Sequence, residues 1–232
     1  MSSLAIILPV HNERMSLEAV IQAWDSVLKK IPDCAYTFIA CEDGSTDGTP
    51  ELIKKLSAHY PMINLSTPIR RGYGNAVIEG IMAANTDFIL CIDSDGQCLP
   101  NNFMHFWENK MQADFIMGWR FKRHDSRLRI FYSHCFFVFY RFLFKTLLHD
   151  PSCPYVLGRR EAFLVVKPYL SFLKEGFWWG FVAATIKMKK TIFEIKIEHS
   201  ERLDGKTRVY RWYKMPGIIV KNMLGLIGLK LS

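Results

Sequence analysis

Asp87-Phe88-Ile89-Leu90-Cys91-Ile92-Asp93-Ser94-Asp95-Gly96-Gln97 is the stretch from which the fold follows. Phe88 to Ile92 is a short, unbroken apolar run, the pattern of a strand buried on both faces. Two carboxylates, Asp93 and Asp95, follow where that strand should end. Side chains alternate along a strand, so the two can point the same way. Placed on one side they repel unless a cation sits between them. Hard divalent ions such as Mg²⁺ or Mn²⁺ take oxygen ligands and often keep a substrate phosphate in their shell. The plainer alternative is a polar turn, since Asp-Gly is a common turn dipeptide.

On either side of this stretch, strand-like and helix-like segments alternate. Leu4 to Val10 reads as a strand, and Leu17 to Lys30 as a helix with Leu17, Val20, Ile21, Trp24, Val27 and Leu28 on one face. Tyr36 to Cys41 is strand-like, and Thr49-Pro50 reads as an N-cap with proline at the first helical position, opening a helix to about Ala58. A strand near Ile63 to Leu65 and a helix from about Tyr73 to Ala84 precede the Phe88 strand. Asn101 to Gln112 is expected to be helical and Asp114 to Gly118 a strand. Repeated strand–helix units imply an α/β fold with a mostly parallel sheet covered on both faces. Ligands in such sheets bind beyond the carboxyl ends of the strands. His11-Asn12-Glu13, Glu42-Asp43-Gly44-Ser45 and Asp93 to Gln97 all fall at those ends.

The second half differs. Ile130 to Leu148 is dense in aromatics, but His134, Arg141 and Lys145 interrupt it. A membrane span needs roughly 20 mostly uncharged apolar residues. On a helix these three fall on one stripe that Arg127 extends, so the segment reads as a helix lying in a membrane interface. A core helix with one solvated edge is the plainer reading. Met215 to Leu231, with Lys221 and Lys230 inserted, is either a second interfacial helix or a helix packed on the core.

A chain of 232 residues, half of them apolar, can bury one substantial core. A net charge of +8 calls for an anionic partner such as a lipid surface or a phosphorylated substrate. No zinc-finger, RNA-recognition or basic-zipper signature is present, so no nucleic acid partner is expected. Cys34, Cys41, Cys91, Cys98, Cys135 and Cys153 form no Cys-x-x-Cys pair and read as buried free thiols of a reducing cytosol. The run Leu4 to Val10 lacks the basic flank of a signal peptide.

Five segments, in this order, carry a family resemblance. They are Leu8-Pro9-Val10-His11-Asn12-Glu13, Glu42 to Thr49, Arg70-Arg71-Gly72-Tyr73-Gly74-Asn75-Ala76, Asp93 to Gln97, and Arg202-Leu203-Asp204-Gly205-Lys206-Thr207-Arg208. With them the chain resembles inverting glycosyltransferases of the GT-A (Rossmann-like) fold, most closely dolichyl-phosphate mannose synthase and other polyprenyl-phosphate glycosyltransferases. The resemblance covers most of the chain and implies one domain over residues 1–232. Its first half, to about residue 120, would bind a nucleotide-sugar. Its second half, from about 121, would bind the acceptor and, through C-terminal interfacial helices, the membrane. The last two positions of the late motif are Thr207-Arg208 where the family has Ser-Lys. The family's middle motif, Asp-x-Thr-x-Gly-Phe-Arg, is represented only by Asp150, and its arginine is missing from Asp150 to Leu157.

The resemblance implies a site. Pro9, Val10, Asn12, Glu13, Asp43, Gly44, Arg71, Gly72, Gly74, Asp93 and Ser94 would hold the donor. Asp43 is suited to accept a nucleobase N–H. Gly72 and Gly74 would let the backbone approach a ligand beside the charge of Arg71. Asp93, Asp95 and Gln97 would hold Mg²⁺ or Mn²⁺, with Asp93 on the metal or on the donor ribose. Arg120, Lys122, Arg123, Arg127, Arg202 and Arg208 would hold the acceptor phosphate. Asp93, Asp95 and Arg202 would carry the chemistry.

The implied reaction is metal-dependent, inverting transfer of a sugar from GDP-mannose or a UDP-sugar to dolichyl or undecaprenyl phosphate. The enzyme would sit peripherally on the cytoplasmic face of a membrane, with room for a membrane-anchoring partner protein. Three alternatives stand beside it. The acceptor can be a saccharide hydroxyl, with Asp150 or Glu175 as base and Gly176 to Trp179 as a stacking surface. A nucleotidyltransferase is a remote third. A catalytically silent membrane-binding scaffold is the fourth, and the paired aspartates argue against it.

Overall fold

The computed structural model describes residues 2–121, 127–173, 175–198, 200 and 215–232 (the backbone alone at 127–132, 215 and 216). Seven strands form one sheet in the order β3-β2-β1-β4-β6-β5-β7. They are β1 (Ser2–Val10), β2 (Cys34–Asp43), β3 (Met62–Thr67), β4 (Phe88–Cys91), β5 (Phe115–Arg120), β6 (Val156–Arg159) and β7 (Ile192–Ile197). Only β6 runs antiparallel to its neighbours β4 and β5. The helices are α1 (Leu17–Leu28), α2 (Thr49–Leu56), α3 (Tyr73–Ala83), α4 (Phe103–Glu108), α5 (Arg127–Phe144), α6 (Arg160–Val166), α7 (Phe177–Lys187) and α8 (Met215–Leu231).

Chain direction places the helices. From β1 to β2 to β3 the chain steps outward along one side of the sheet, and from β3 it returns past β1 to β4. Crossovers between parallel strands are right-handed, so α1 and α2 lie on one face and α3 on the other. The reversal leaves a crevice beyond the ends of β1 and β4, where such sheets bind ligands. Leu4 to Leu8 of β1 are fully buried, as a central parallel strand requires. α3 lies so close to the sheet that a Cβ on Gly80 would stand 2.5 Å from Ile7 Cγ2 and 2.7 Å from Cys41 Sγ. Trp24 of α1 packs edge-on to Phe103 of α4 and beside Tyr155, while Phe115 of β5 meets Phe163 of α6 and Phe181 of α7.

Several boundaries differ from expectation for local reasons. Thr49 is the first helical residue of α2, not its cap. Gly48 holds the cap position at φ +88°, and Asp47 accepts the Thr49 N–H at 3.0 Å. The expected helix from Asn101 is a 3₁₀ turn (Pro100–Asn102) followed by the short α4. β4 ends at Cys91, so Asp93 and Asp95 stand on a turn, and strand alternation does not orient them.

Among the described residues no helix is long and apolar enough to cross a membrane. α5 has one buried and one exposed face. Phe136, Tyr140 and Phe144 are buried, and the Tyr140 hydroxyl donates to the Trp179 carbonyl at 3.0 Å. His134, Val138, Arg141, Phe142 and Lys145 are exposed. Five of the six cysteines are buried and all are free thiols. Burial pushes the Cys34 thiol up to about 11 and the Cys41 thiol to about 12, which leaves both inert.

Candidate active site

The loops after β1 and β2 are stitched together at the carboxyl edge. Val10 pairs with Glu42 in the sheet. Beyond it, Asn12 N–H donates to Ser45 Oγ at 2.9 Å, Thr46 N–H to Asn12 Oδ1 at 2.8 Å, and Glu13 N–H to Thr49 Oγ1 at 3.1 Å. Asn12 adopts φ +56°, a left-handed conformation that asparagine tolerates well. His11 Nδ1 lies 2.8 Å from the Asp43 carbonyl, which can only accept, so that nitrogen carries the proton. The Glu13 carboxylate accepts the Ser16 hydroxyl at 2.7 Å. Asn12 and Glu13 therefore build the loop.

Asp43 joins this pair of loops to a third. Its carboxylate is nearly fully buried and accepts the N–H groups of Arg71 at 2.6 Å and Gly72 at 2.8 Å. Gly44, at φ +66°, lets the loops touch, since a Cβ there would stand 2.6 Å from the Arg70 nitrogen. The two glycines of the third segment do different work. Gly72 has φ +100° with open space around it, as a ligand-facing glycine would. Gly74 instead accommodates a side chain of the protein, because a Cβ on it would stand 3.0 Å from the Phe177 ring. The Arg71 guanidinium is not poised for phosphate. It pairs with Glu79 of α3, and only its backbone reaches Asp43.

The acidic turn is anchored on every side. The Ser94 hydroxyl, expected on the donor, is buried and donates to the Pro9 carbonyl at 2.8 Å, tying the turn to the end of β1. Asp95 is buried and accepts the Gln97 N–H at 3.1 Å. Gln97 Nε2 donates to the Ser200 carbonyl at 3.3 Å. Asp93 Oδ1 accepts the Tyr73 hydroxyl at 2.6 Å, and Trp178 Nε1–H donates to that hydroxyl at 2.8 Å. Tyr73 and Trp178 figure in the sequence expectations only as part of the glycine-containing segment and of a stacking surface, not as partners of the acidic turn, and Ser200 is absent from them. Their contacts span 20, 105 and 103 residues, and no local pattern encodes them.

In the second half, Arg120 ends β5 at the same edge. It grips Asp150 with Nε at 2.6 Å and Nη2 at 2.9 Å, and Nη2 also donates to Ser152 Oγ at 2.7 Å. Burial alone would lower the guanidinium, but the hydrogen bonds and charge of Asp150 hold it above its ordinary value. Arg120 is thus a partner of Asp150 rather than a waiting phosphate ligand. Asp150 in turn is an ion-paired carboxylate, unsuited to act as a base. Phe177 and Trp178 are core residues of α7, not a stacking surface. Lys122, Arg123, Arg202 and Arg208, and the side chain of Arg127, lie outside the described residues.

The donor set suits a hard divalent ion. Asp93, Asp95 and Gln97 offer only oxygen, and the Gln97 amide nitrogen is turned to Ser200, so its oxygen faces elsewhere. Among the described residues no group of three or more His, Cys, Asp or Glu closes a cage for a metal.

The fold recurs in solved structures of glucosyl-3-phosphoglycerate synthase from Mycobacterium tuberculosis. One, in complex with Mn²⁺, UDP and glucosyl-3-phosphoglycerate, superposes with a TM-score of 0.71 at 17% identity over 98% of this chain and 80% of that one. Another, with Mn²⁺, UDP-glucose and phosphoglyceric acid, gives 0.70 at 16% identity over 99% and 80%. Among curated sequences, undecaprenyl-phosphate 4-deoxy-4-formamido-L-arabinose transferase of Aeromonas hydrophila is 26% identical over 88% of this chain and 62% of its own length. The Pectobacterium atrosepticum protein of the same name is 26% identical over 92% and 64%. The chain thus spans rather less than two thirds of these relatives. Residues 5–166 match the family described as glycosyl transferase family 2, which takes in the crevice from Pro9 to Asp150, and the chain belongs to that family.

Proposed function

We propose that this protein transfers a sugar, with inversion, from a nucleoside-diphosphate donor to a polyprenyl phosphate at a membrane surface, using Mg²⁺ or Mn²⁺. The observation that carries the reading is the convergence of Asp43, Gly72, Asp93, Asp95 and Gln97 at the β1/β4 switch point. The first half binds the donor. The base lies against Asp43 and Gly44, between the loops that Asn12 and Glu13 brace. The diphosphate lies toward Gly72, where open space surrounds the backbone. Asp93, Asp95 and Gln97 would hold the metal, which would supply Lewis-acid stabilisation of the leaving diphosphate.

The relatives' name supports a polyprenyl phosphate as acceptor. So does the absence of any need for a base. A phosphate monoester with a second pKa of about 6 is largely ionised at neutral pH and needs only positioning and charge compensation. Asp150, one of the two carboxylates that could serve a saccharide hydroxyl as base, is bound to Arg120, while Glu175, the other, is exposed. Arg202, with Lys122, Arg123, Arg127 and Arg208, supplies the cations that receive the phosphate.

The exposed surface supports membrane contact. Phe142 and Leu147 are each more than 80% exposed, as is Leu231 of α8, and Leu224 is 64% exposed. Lys230 Nζ donates to the Leu143 carbonyl at 2.8 Å, so α8 ends against the end of α5. Neither helix contains an acidic residue, and Arg141, Lys145 and Lys221 are exposed beside the apolar positions. That combination fits the cytoplasmic, anionic face of a membrane.

The test is organic-phase extraction of labelled product from reactions with a panel of UDP- and GDP-sugars and undecaprenyl or dolichyl phosphate. Label entering the organic phase supports the reading. Label found only on water-soluble saccharide would transfer the assignment to a hydroxyl acceptor.

A further inference from the structure

Two residues that belong to none of the acidic motifs reach the acidic turn. Tyr73 opens α3 directly after Gly72, and its hydroxyl lies 2.6 Å from Asp93 Oδ1. Trp178, in the first turn of α7, lies with Nε1 2.8 Å from the same hydroxyl oxygen. An indole N–H can only donate, and a phenol has one proton. The Tyr73 hydroxyl therefore accepts from Trp178 and must give its proton to Asp93. The direction of the relay is fixed by chemistry. Packing fixes its position. Trp178 is 6% exposed, Phe177 meets the Tyr73 ring edge-on at 6.1 Å, and Gly74 admits the Phe177 ring beside α3.

We propose that Tyr73, oriented by Trp178, is a positioning residue that sets the Asp93 carboxylate for the divalent cation and the donor diphosphate. This rests on the metal reading of Asp93 and Asp95. Two carboxylates on one short turn repel, and Gly96 at φ +83° gives that turn an unusual backbone. A donor aimed at Asp93 offsets the repulsion before any metal arrives and holds one rotamer. Hydrogen-bond partners behind a ligating group are worth 10–100-fold in metal affinity in general. Neither residue need touch the substrate.

Three variants test this: Tyr73→Phe, which keeps the ring, Trp178→Phe, and the two together. Mn²⁺ binding is followed by the EPR signal of the free ion, alone and with UDP or GDP, without turnover. Melting by circular dichroism checks that each variant is folded. Tyr73→Phe should weaken Mn²⁺ binding about 10-fold or more. Trp178→Phe should weaken it less. The double variant should match Tyr73→Phe, because Trp178 acts only through Tyr73. At saturating Mn²⁺ the donor KM should recover while kcat stays within about threefold of wild type, a split that general loosening of the fold would not give. Wild-type Mn²⁺ affinity in both single variants, or additive losses in the double, would overturn the positioning role alone. If the wild type itself binds no Mn²⁺ under any of these conditions, the metal reading falls and the proposal with it.

Discussion

Arg120 and Asp150, thirty residues apart in the chain, meet in a two-pronged ion pair that is almost closed to solvent. The segment around Asp150 carries no arginine of its own where the resemblance leads one to look. The guanidinium that pairs with Asp150 comes from Arg120 at the end of β5. A planar guanidinium and a carboxylate match in this geometry, and the Glu194 carboxylate, accepting the Asp150 N–H at 3.2 Å, fixes the backbone behind it. Removing one partner of such a pair leaves a buried charge, at a cost of about 3–5 kcal/mol. Asp150→Ala should therefore lower stability by that order in urea denaturation. Replacing both, as Arg120→Met with Asp150→Leu, should cost much less. Equal losses in single and double variants would mean that packing, not charge, is at stake. The pair should add no pH dependence from its arginine across neutral pH. A raised cation pKa gives stability that is fully present below the unfolded value, and that value lies far above neutral pH.

The order of elements through β5 was legible in the sequence because central parallel strands are apolar runs and amphipathic helices repeat at 3.6 residues. β6 and β7 were not. Val156 to Arg159 is only four residues long, and Ile192 to Ile197 carries Glu194 and Lys196 on an edge strand. The aromatic density of the α5 segment pointed to a membrane, yet Phe136, Tyr140 and Phe144 serve the core. Composition cannot separate the two faces of one helix. In the site, the acidic turn and Asp43 could be named because each sits at a strand end. The partners that set their geometry could not, because Tyr73, Trp178 and Ser200 reach them across the fold.

Asp95 should be indispensable. A charged oxygen ligand to a divalent ion stabilises the leaving diphosphate by several kcal/mol, so Asp95→Asn should cut turnover on the order of a thousandfold. EDTA should abolish activity and Mn²⁺ or Mg²⁺ restore it. Full turnover in EDTA, or by Asp95→Asn, would remove the metal from the mechanism.

Asp43 should act on binding rather than on chemistry. It holds two backbone N–H groups of the Arg71–Gly72 loop and, in the proposed reading, a nucleobase N–H as well. Hydrogen bonds to a charged group are worth about 1.5–3 kcal/mol, so Asp43→Ala should raise the donor KM about 10–100-fold. Contacts to the base are the same in ground and transition states, so kcat should change little. Steady-state kinetics at varied donor concentration decide the point. A large fall in kcat at unchanged KM would assign Asp43 to the reacting centre.

Membrane binding should depend on charge and on salt. Arg141, on the exposed face of α5, and Lys145, just past its last residue, flank Phe142, and nothing acidic lies in that helix to oppose an anionic surface. Each basic residue near such a surface contributes about 1 kcal/mol, within a screening length of about 8 Å at physiological salt. Arg141→Glu with Lys145→Glu removes two attractions, about 2 kcal/mol or 30-fold, and adds two repulsions of similar size. Sedimentation with phosphatidylserine or phosphatidylglycerol vesicles should therefore lose nearly all of the protein, and wild-type binding should weaken steadily as salt rises. Phe142→Ser should weaken binding without changing its salt dependence, because it removes apolar contact alone. Arg141, Phe142 and Lys145 are remote from Asp43 and Asp95 in the sequence and belong to none of the motif segments. Transfer to a short, water-soluble prenyl phosphate should survive the charge reversal while transfer to vesicle-embedded acceptor falls. Vesicle binding unchanged by the reversal would leave α5 as an ordinary helix of the core.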